Sequence, residues 1–96
     1  MVCRVHVSEA VTIPACSQMM IPVDIPNAHR LSNTALMEPS IKLMEKKGIT
    51  LTTVVIDSKS NCHAANIVNY CNEEIKLYPN TNLGTCRSLV EEIQET

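Results

Sequence analysis

Apolar and polar positions alternate with period two along much of the chain. Over Val2–Val7, Cys3, Val5 and Val7 share one side, and Val2, Arg4 and His6 the other. That pattern predicts a strand with one face turned to a core. Val11–Ile13 continues in β-branched residues and stops at Pro14, and residues 14–17 read as a turn. Residues 18–26 run extended, but Pro22 and Pro26 lack the amide that a fully paired strand donates. They predict an edge strand or a bulge there. Residues 27–33 are polar and loop-like, and residues 34–37 form a short strand ending at Glu38-Pro39.

Residues 40–47 are ambiguous. Ser40 fits a helix cap, Ile41, Leu43 and Met44 an apolar stripe, and Gly48 a stop. A helix this short is marginal without tertiary contacts, so a loop with one helical turn is expected. Residues 49–56 form the strongest strand, with seven of eight positions β-branched. Residues 57–61 are a turn cluster, and the chain returns as a strand over 62–70. A turn at 72–74, a strand at 75–78, a turn at 79–82 and a strand at 83–86 complete a hairpin-like series. Residues 89–94 fit a terminal strand or a helical turn.

Short strands with turn signals every eight to twelve residues predict one all-β domain over residues 1–96, a small sandwich or jelly-roll-like barrel. Roughly seven to nine short, mostly antiparallel strands are expected. The expected core comprises Val5, Val7, Val11, Ile13, Met20, Val23, Leu36, Leu51, Val54, Ile56, Ile67, Val68, Leu77 and Leu83.

Composition changes this picture in one respect. The chain has no Trp and no Phe, and Tyr70 and Tyr78 are its aromatic residues. The core therefore lacks the roughly 150–250 Å² that each buried ring supplies. Modest stability is expected, with support from a neighbouring domain or an oligomer. The net charge of −2 gives no electrostatic footprint for nucleic acid, and Lys42, Lys46 and Lys47 read as a solvated face. The five cysteines are odd in number, without CxxC spacing, and the N-terminal residues have no apolar leader core. Free thiols in a reducing, intracellular (cytoplasmic) setting are expected, with most cysteines packed inward. No apolar run approaches a membrane span.

Candidate chemistry is sparse. Among His6, His29, His63 and the cysteines, the one close pair is Cys62-His63, whose side chains diverge on a strand. No metal site and no cofactor are therefore expected, and His6 and His29 are expected at the surface. Gly48 and Gly84 are too far apart for a phosphate-cradling loop. No Asp-Ser/Thr-Gly triplet or Tyr-x-Asp-Asp run is present. Asp57, closing the best strand, is the one carboxylate placed to position a metal-bound phosphate or a water, and also fits a plain turn former.

Four pieces, in order, carry a resemblance. They are residues 12–23, with Ile13-Pro14, Ser17 and Pro22; residues 36–39, ending in Glu38-Pro39; residues 48–57, ending in Asp57; and residues 66–86, with Asn69, Leu77-Tyr78 and Leu83-Gly84. Together they resemble the segment between protease and reverse transcriptase in the Pol polyproteins of gypsy-type LTR retrotransposons. Pro79-Asn80 stands where that family has Lys-Gly, and the basic character before Asn69 is missing. The resemblance spans about residues 11–87. It implies a non-catalytic spacer domain whose partners are the neighbouring domains of the same polyprotein, with a homo-oligomer as a further expectation.

A second, more distant resemblance is to the deoxyuridine triphosphatase-like β-barrel, carried by Val55-Ile56-Asp57, the strand to Asn69 and Leu83-Gly84. That family places a Tyr and a Gly where Ser60 and Cys62 stand here. Its glycine-rich C-terminal arm and its early Asp-containing metal motif are missing. This resemblance implies a shared barrel whose nucleotide site is divergent or inactivated.

Overall fold

The computed structural model describes residues 1–89. Nine strands carry the fold: β1 Val2–Val7, β2 Val11–Ile13, β3 Gln18–Asp24, β4 Thr34–Pro39, β5 Ile49–Leu51, β6 Val54–Asp57, β7 His63–Asn69, β8 Ile75–Leu77 and β9 Asn82–Ser88. One helix, α1 Ile41–Lys47, and a 3-10 turn at Ala28–Arg30 complete it. Seven strands make one sheet in the order β5-β7-β3-β1-β9-β4-β6, and β2 pairs with β8 in a separate ribbon. Every pairing is antiparallel. The fold is all-β, a curled sheet forming a small half-barrel.

The curl follows from one connection. The expected single strand over 49–56 is two strands, β5 and β6, broken at the exposed Thr52 and Thr53. These two strands lie at opposite ends of the sheet order. Three Cα steps from Leu51 to Val54 span at most about 11 Å. The two edges of the sheet must therefore converge at this corner. High β propensity persists through the corner because it describes residue type and not pairing partner.

The core lies on the concave face. Val5, Val7, Ile13, Val23, Leu51, Ile67, Leu77 and Leu83 are buried as expected, and Val11 and Ile56 are half-buried against them. Met20 and Val54 are exposed instead, and Leu36 and Val68 are half-buried. For Met20, Leu36 and Val68 the reason is parity; Val54 shares the inward face of buried Met37 and is exposed because β6 is an edge strand. Ile21 and Val23 face inward on β3, and Ala35 and Met37 on β4, so Met20 and Leu36 fall on the outer face. Cys3 and Cys86 are buried, whereas Cys16 and Cys62 are exposed and Cys71 is intermediate, so most thiols are not inward.

The proline-bearing strand β3 is interior and not an edge. Its pairing with β1 covers His6–Asp24 and Val7–Val23 and then ends. The Asn69 amide donates to the Ser17 carbonyl at 2.8 Å. Alternation from that bond turns the nitrogen of Pro22 away from β7, toward the side where the β1 ladder has stopped. Proline thus removes no ladder bond there, and its carbonyl accepts the Ser8 hydroxyl at 3.2 Å.

Residues 41–47 are a full helix. Ser40 Oγ accepts from the Leu43 amide, Gly48 in the left-handed region (φ 70°) donates to the Met44 carbonyl, and Leu43 is buried. Capped ends and one anchoring side chain offset the cost of nucleating so short a helix. Residues 27–33 contribute buried Ala28 and Leu31 through the 3-10 turn. The hairpin-like series over 62–86 is not formed, because β8 pairs with β2 and neither β7 nor β9. Asn80 does take the left-handed turn conformation (φ 72°). Of the terminal segment 89–94, Leu89 carries no regular structure and residues 90–94 lie outside the described residues.

Candidate functional site

The motif residues gather into two interior clusters. Asn69 is at the end of β7 and 1% exposed. Its Nδ2 donates to the carbonyls of Ile13 at 3.2 Å, Pro14 at 3.1 Å and Glu73 at 3.0 Å, and its Oδ1 accepts from the Cys71 amide at 2.8 Å. Ser17 completes the cluster, its carbonyl taking the Asn69 amide and its hydroxyl donating to Ala15. One side chain thus supplies the partners that two turns and the end of β2 would otherwise lack.

The second cluster surrounds Gly84, which lies between Val5 on β1 and Pro39 on β4. A Cβ there would stand 1.9 Å from the Glu38 carbonyl oxygen. Glycine serves here as space, not as a source of unusual backbone angles. Beside it the β1–β9 register slips by one residue, leaving Leu83 as an extra, buried position. The Leu83 carbonyl takes the Ser40 amide at 3.0 Å, tying β9 to the start of α1. Glu38 Oε1 pairs with Arg87 Nε at 2.9 Å on the solvent side, a partly exposed contact of small energetic value.

The remaining motif residues are dispersed. Leu77 is buried opposite Val11 in the ribbon, and Tyr78 is exposed, with Lys76 Nζ 5.4 Å from its ring centroid. Pro22 lines a cleft of about 770 Å³ between residues 22–29 and 58–63. Asp57, opposite Thr34 at the end of β6, is not one of its lining residues but directly precedes Ser58, which is. Sequence reasoning singled out Asp57 but not the cleft, which arises only when the two loops meet.

The cleft brings together Asp24, His29, Lys59, Cys62 and His63. Lys59 Nζ donates to the His29 and Leu31 carbonyls, the latter at 3.0 Å. Asp57 Oδ1 accepts the Lys59 amide at 2.9 Å, and the Asp57 carbonyl lies 3.3 Å from His63 Nε2. Ser58, 2% exposed, donates its hydroxyl to the Ser32 carbonyl. These bonds hold the turn itself: the Asp57 side chain closes it on the Lys59 backbone amide two residues on, as short polar side chains do. No cluster of three or more metal-ligating side chains occurs among the described residues. His29 is exposed, and His6 and His63 are half-buried.

One thiol is electrostatically distinctive. Cys86 is buried directly opposite Cys3, and burial, with a smaller contribution from the Cys3 thiol, pushes its pKa from the ordinary 9.0 up to about 11. It stays a neutral packing group at physiological pH.

No protein-family model matches the chain, and none of the curated proteins matches it. No helix among the described residues is long and apolar enough to cross a membrane.

Proposed function

We propose that the chain is a non-catalytic structural or interaction module of retroelement origin, of the kind that joins protease to reverse transcriptase in gypsy-type Pol polyproteins. One observation carries the reading: the residues of the resemblance are those on which the fold turns. Asn69 ties Ile13, Pro14 and Ser17 together, and Gly84 admits Glu38-Pro39. Such residues specify a shape and supply no reagent. The partners are the flanking domains of the same polyprotein, and five unpaired thiols go with a reducing, intracellular setting.

A second reading, a divergent or inactivated deoxyuridine triphosphatase-like nucleotide-binding domain, is favoured by the cleft beside Asp57. Its volume, about 770 Å³, falls within the range of small-molecule sites. It ranks second because Ser60 and Cys62 replace the stacking and approach residues of that family, and Asp57 Oδ1 is engaged by Lys59.

Deoxyuridine triphosphate hydrolysis with magnesium, beside calorimetric titration with the nucleotide, separates the two. The module predicts neither turnover nor binding heat. Turnover that disappears in Asp57→Ala overturns it in favour of the second reading. The parent reading frame is expected to encode a protease before this chain and a polymerase after it.

A further inference from the structure

Among the described residues, β6 is an unprotected margin of the half-barrel. The proline-bearing strand expected at an edge is interior, and β6 carries no proline. Natural edges are normally shielded by proline, inward charge, a bulge or a covering element. Val54 and Val55 are instead 43% and 53% exposed.

Register decides which backbone groups are free. The Ser58 amide donates to the Asn33 carbonyl at 3.0 Å, and β4 pairs Met37 with Val54 and Ala35 with Ile56. By alternation, Val54, Ile56 and Ser58 direct their N–H and C=O groups to β4. Val55, with Thr53 and Asp57 on either side, directs its own away from β4, to the open edge.

We propose that β6 pairs antiparallel with β6 of a second copy about a two-fold axis through Val55. In this register Val55 exchanges both backbone bonds with its own copy, and the Asp57 amide donates to the partner's Thr53 carbonyl, while the Asp57 carbonyl stays in its own turn, accepting from the Ser60 amide at 3.2 Å. Val54 meets Ile56 of the partner on the concave face, where both flank the row Cys3, Cys86, Met37. Val55 meets its copy on the convex face, beside Leu36. Asp57 is the single charge in the segment, and it faces Thr53, so no like charges oppose one another. The segment is thus self-complementary in apolarity, charge and hydrogen bonding. A strip this short buries far less than the roughly 1,600 Å² of a standard interface, so the dimer is weak and concentration-dependent. The inference holds whatever the ancestry of the chain.

The test is sedimentation velocity of the intact chain from micromolar to millimolar concentration, with amide hydrogen exchange at both ends of the range. A monomer–dimer equilibrium is expected, with the Val55 and Asp57 amides gaining protection as dimer forms. Val55→Lys places like charges face to face and should raise the association midpoint roughly tenfold or more. Val55→Pro removes the outward donor while leaving the β4 ladder bonds in place, and should do the same. Met20→Lys, on an exposed apolar residue of β3, should leave the midpoint unchanged. Circular dichroism of each variant confirms folding. A chain monomeric throughout, a dimer indifferent to both Val55 changes, or association into open-ended species would each overturn the proposal.

Discussion

The Asn69 side-chain amide donates to the Ile13 carbonyl across 56 positions of sequence, joining the end of β7 to the end of β2. No ladder bond links these two strands, and the same side chain also holds the Pro14 and Glu73 carbonyls and the Cys71 amide. The ribbon of β2 and β8 is thus fastened to the main sheet by one buried amide as well as by the packing of Ile13 and Leu77. Three predictions follow from groups of this kind, and a fourth from the strand parity.

Replacing Asn69 strands several buried polar groups at once. Asn69→Ala is expected to cost about 2–4 kcal/mol in urea denaturation, more than an ordinary hydrogen-bond deletion. Asn69→Asp places a carboxylate against three carbonyls, which disfavours its charged form. Its folded pKa is therefore raised, and the deficit should shrink as pH falls from that raised value to the ordinary carboxylate value, with no further change below it. A loss under about 0.5 kcal/mol in Asn69→Ala would show that the clamp contributes little.

Gly84→Ala has nowhere to put a methyl group, since the obstacle is Glu38 backbone and not a flexible side chain. Overpacking typically costs about 1–3 kcal/mol, and this contact lies at or beyond the upper end. A thermal melt within experimental error of the parent protein is the contrary result. Gly48→Ala meets the Cys71 sulfur at 2.5 Å and a φ of 70°. Adding Cys71→Ala should relieve the clash but not the backbone strain, so recovery should be partial.

The thiols should separate by environment. At neutral pH, Cys16 and Cys62, both exposed, are expected to react with an alkylating reagent well before Cys86. The raised Cys86 pKa also has a stability consequence. The folded chain retains the Cys86 proton between its ordinary 9.0 and about 11, while the unfolded chain releases it. Stability from this group is therefore complete below pH 9 and declines as pH rises to 11. Denaturation midpoints measured across this window should fall more steeply than in Cys86→Ala; parallel curves would contradict the assignment.

Strand parity on β3 gives a paired comparison. Ile21→Ala empties a site that is 1% exposed and should cost about 2–4 kcal/mol. Met20→Lys, one residue away and 63% exposed, should stay within about 0.5 kcal/mol of the parent. Similar losses for both would mean that the register runs one residue differently.

How far the fold was legible depends on whether an element carries its own signal. The alternation of Val2–Val7 identified both the strand and its buried face. Residues 18–26 announced extension and not parity, because Met20 and Ile21 are both apolar and only their neighbours distinguish inside from outside. The corner at Thr52-Thr53 was silent, since threonine suits a strand and a bend between strands alike. Asp57 was legible as a turn former; the cleft beside it was not, because its walls come from loops far apart in sequence.

By itself, then, the sequence determined the β character of the chain, most of its strands and turns, and a core without large aromatic rings. Those follow from local dihedral preference and side-chain periodicity, which neighbouring residues settle among themselves. Tertiary structure alone decided that β8 pairs with β2, that 49–56 divides between opposite edges, that the proline strand lies inside the sheet, and that β6 is left open. Pairing partners are chosen by which buried faces and backbone groups can be satisfied together in three dimensions, and that choice is not encoded in any single window of the chain.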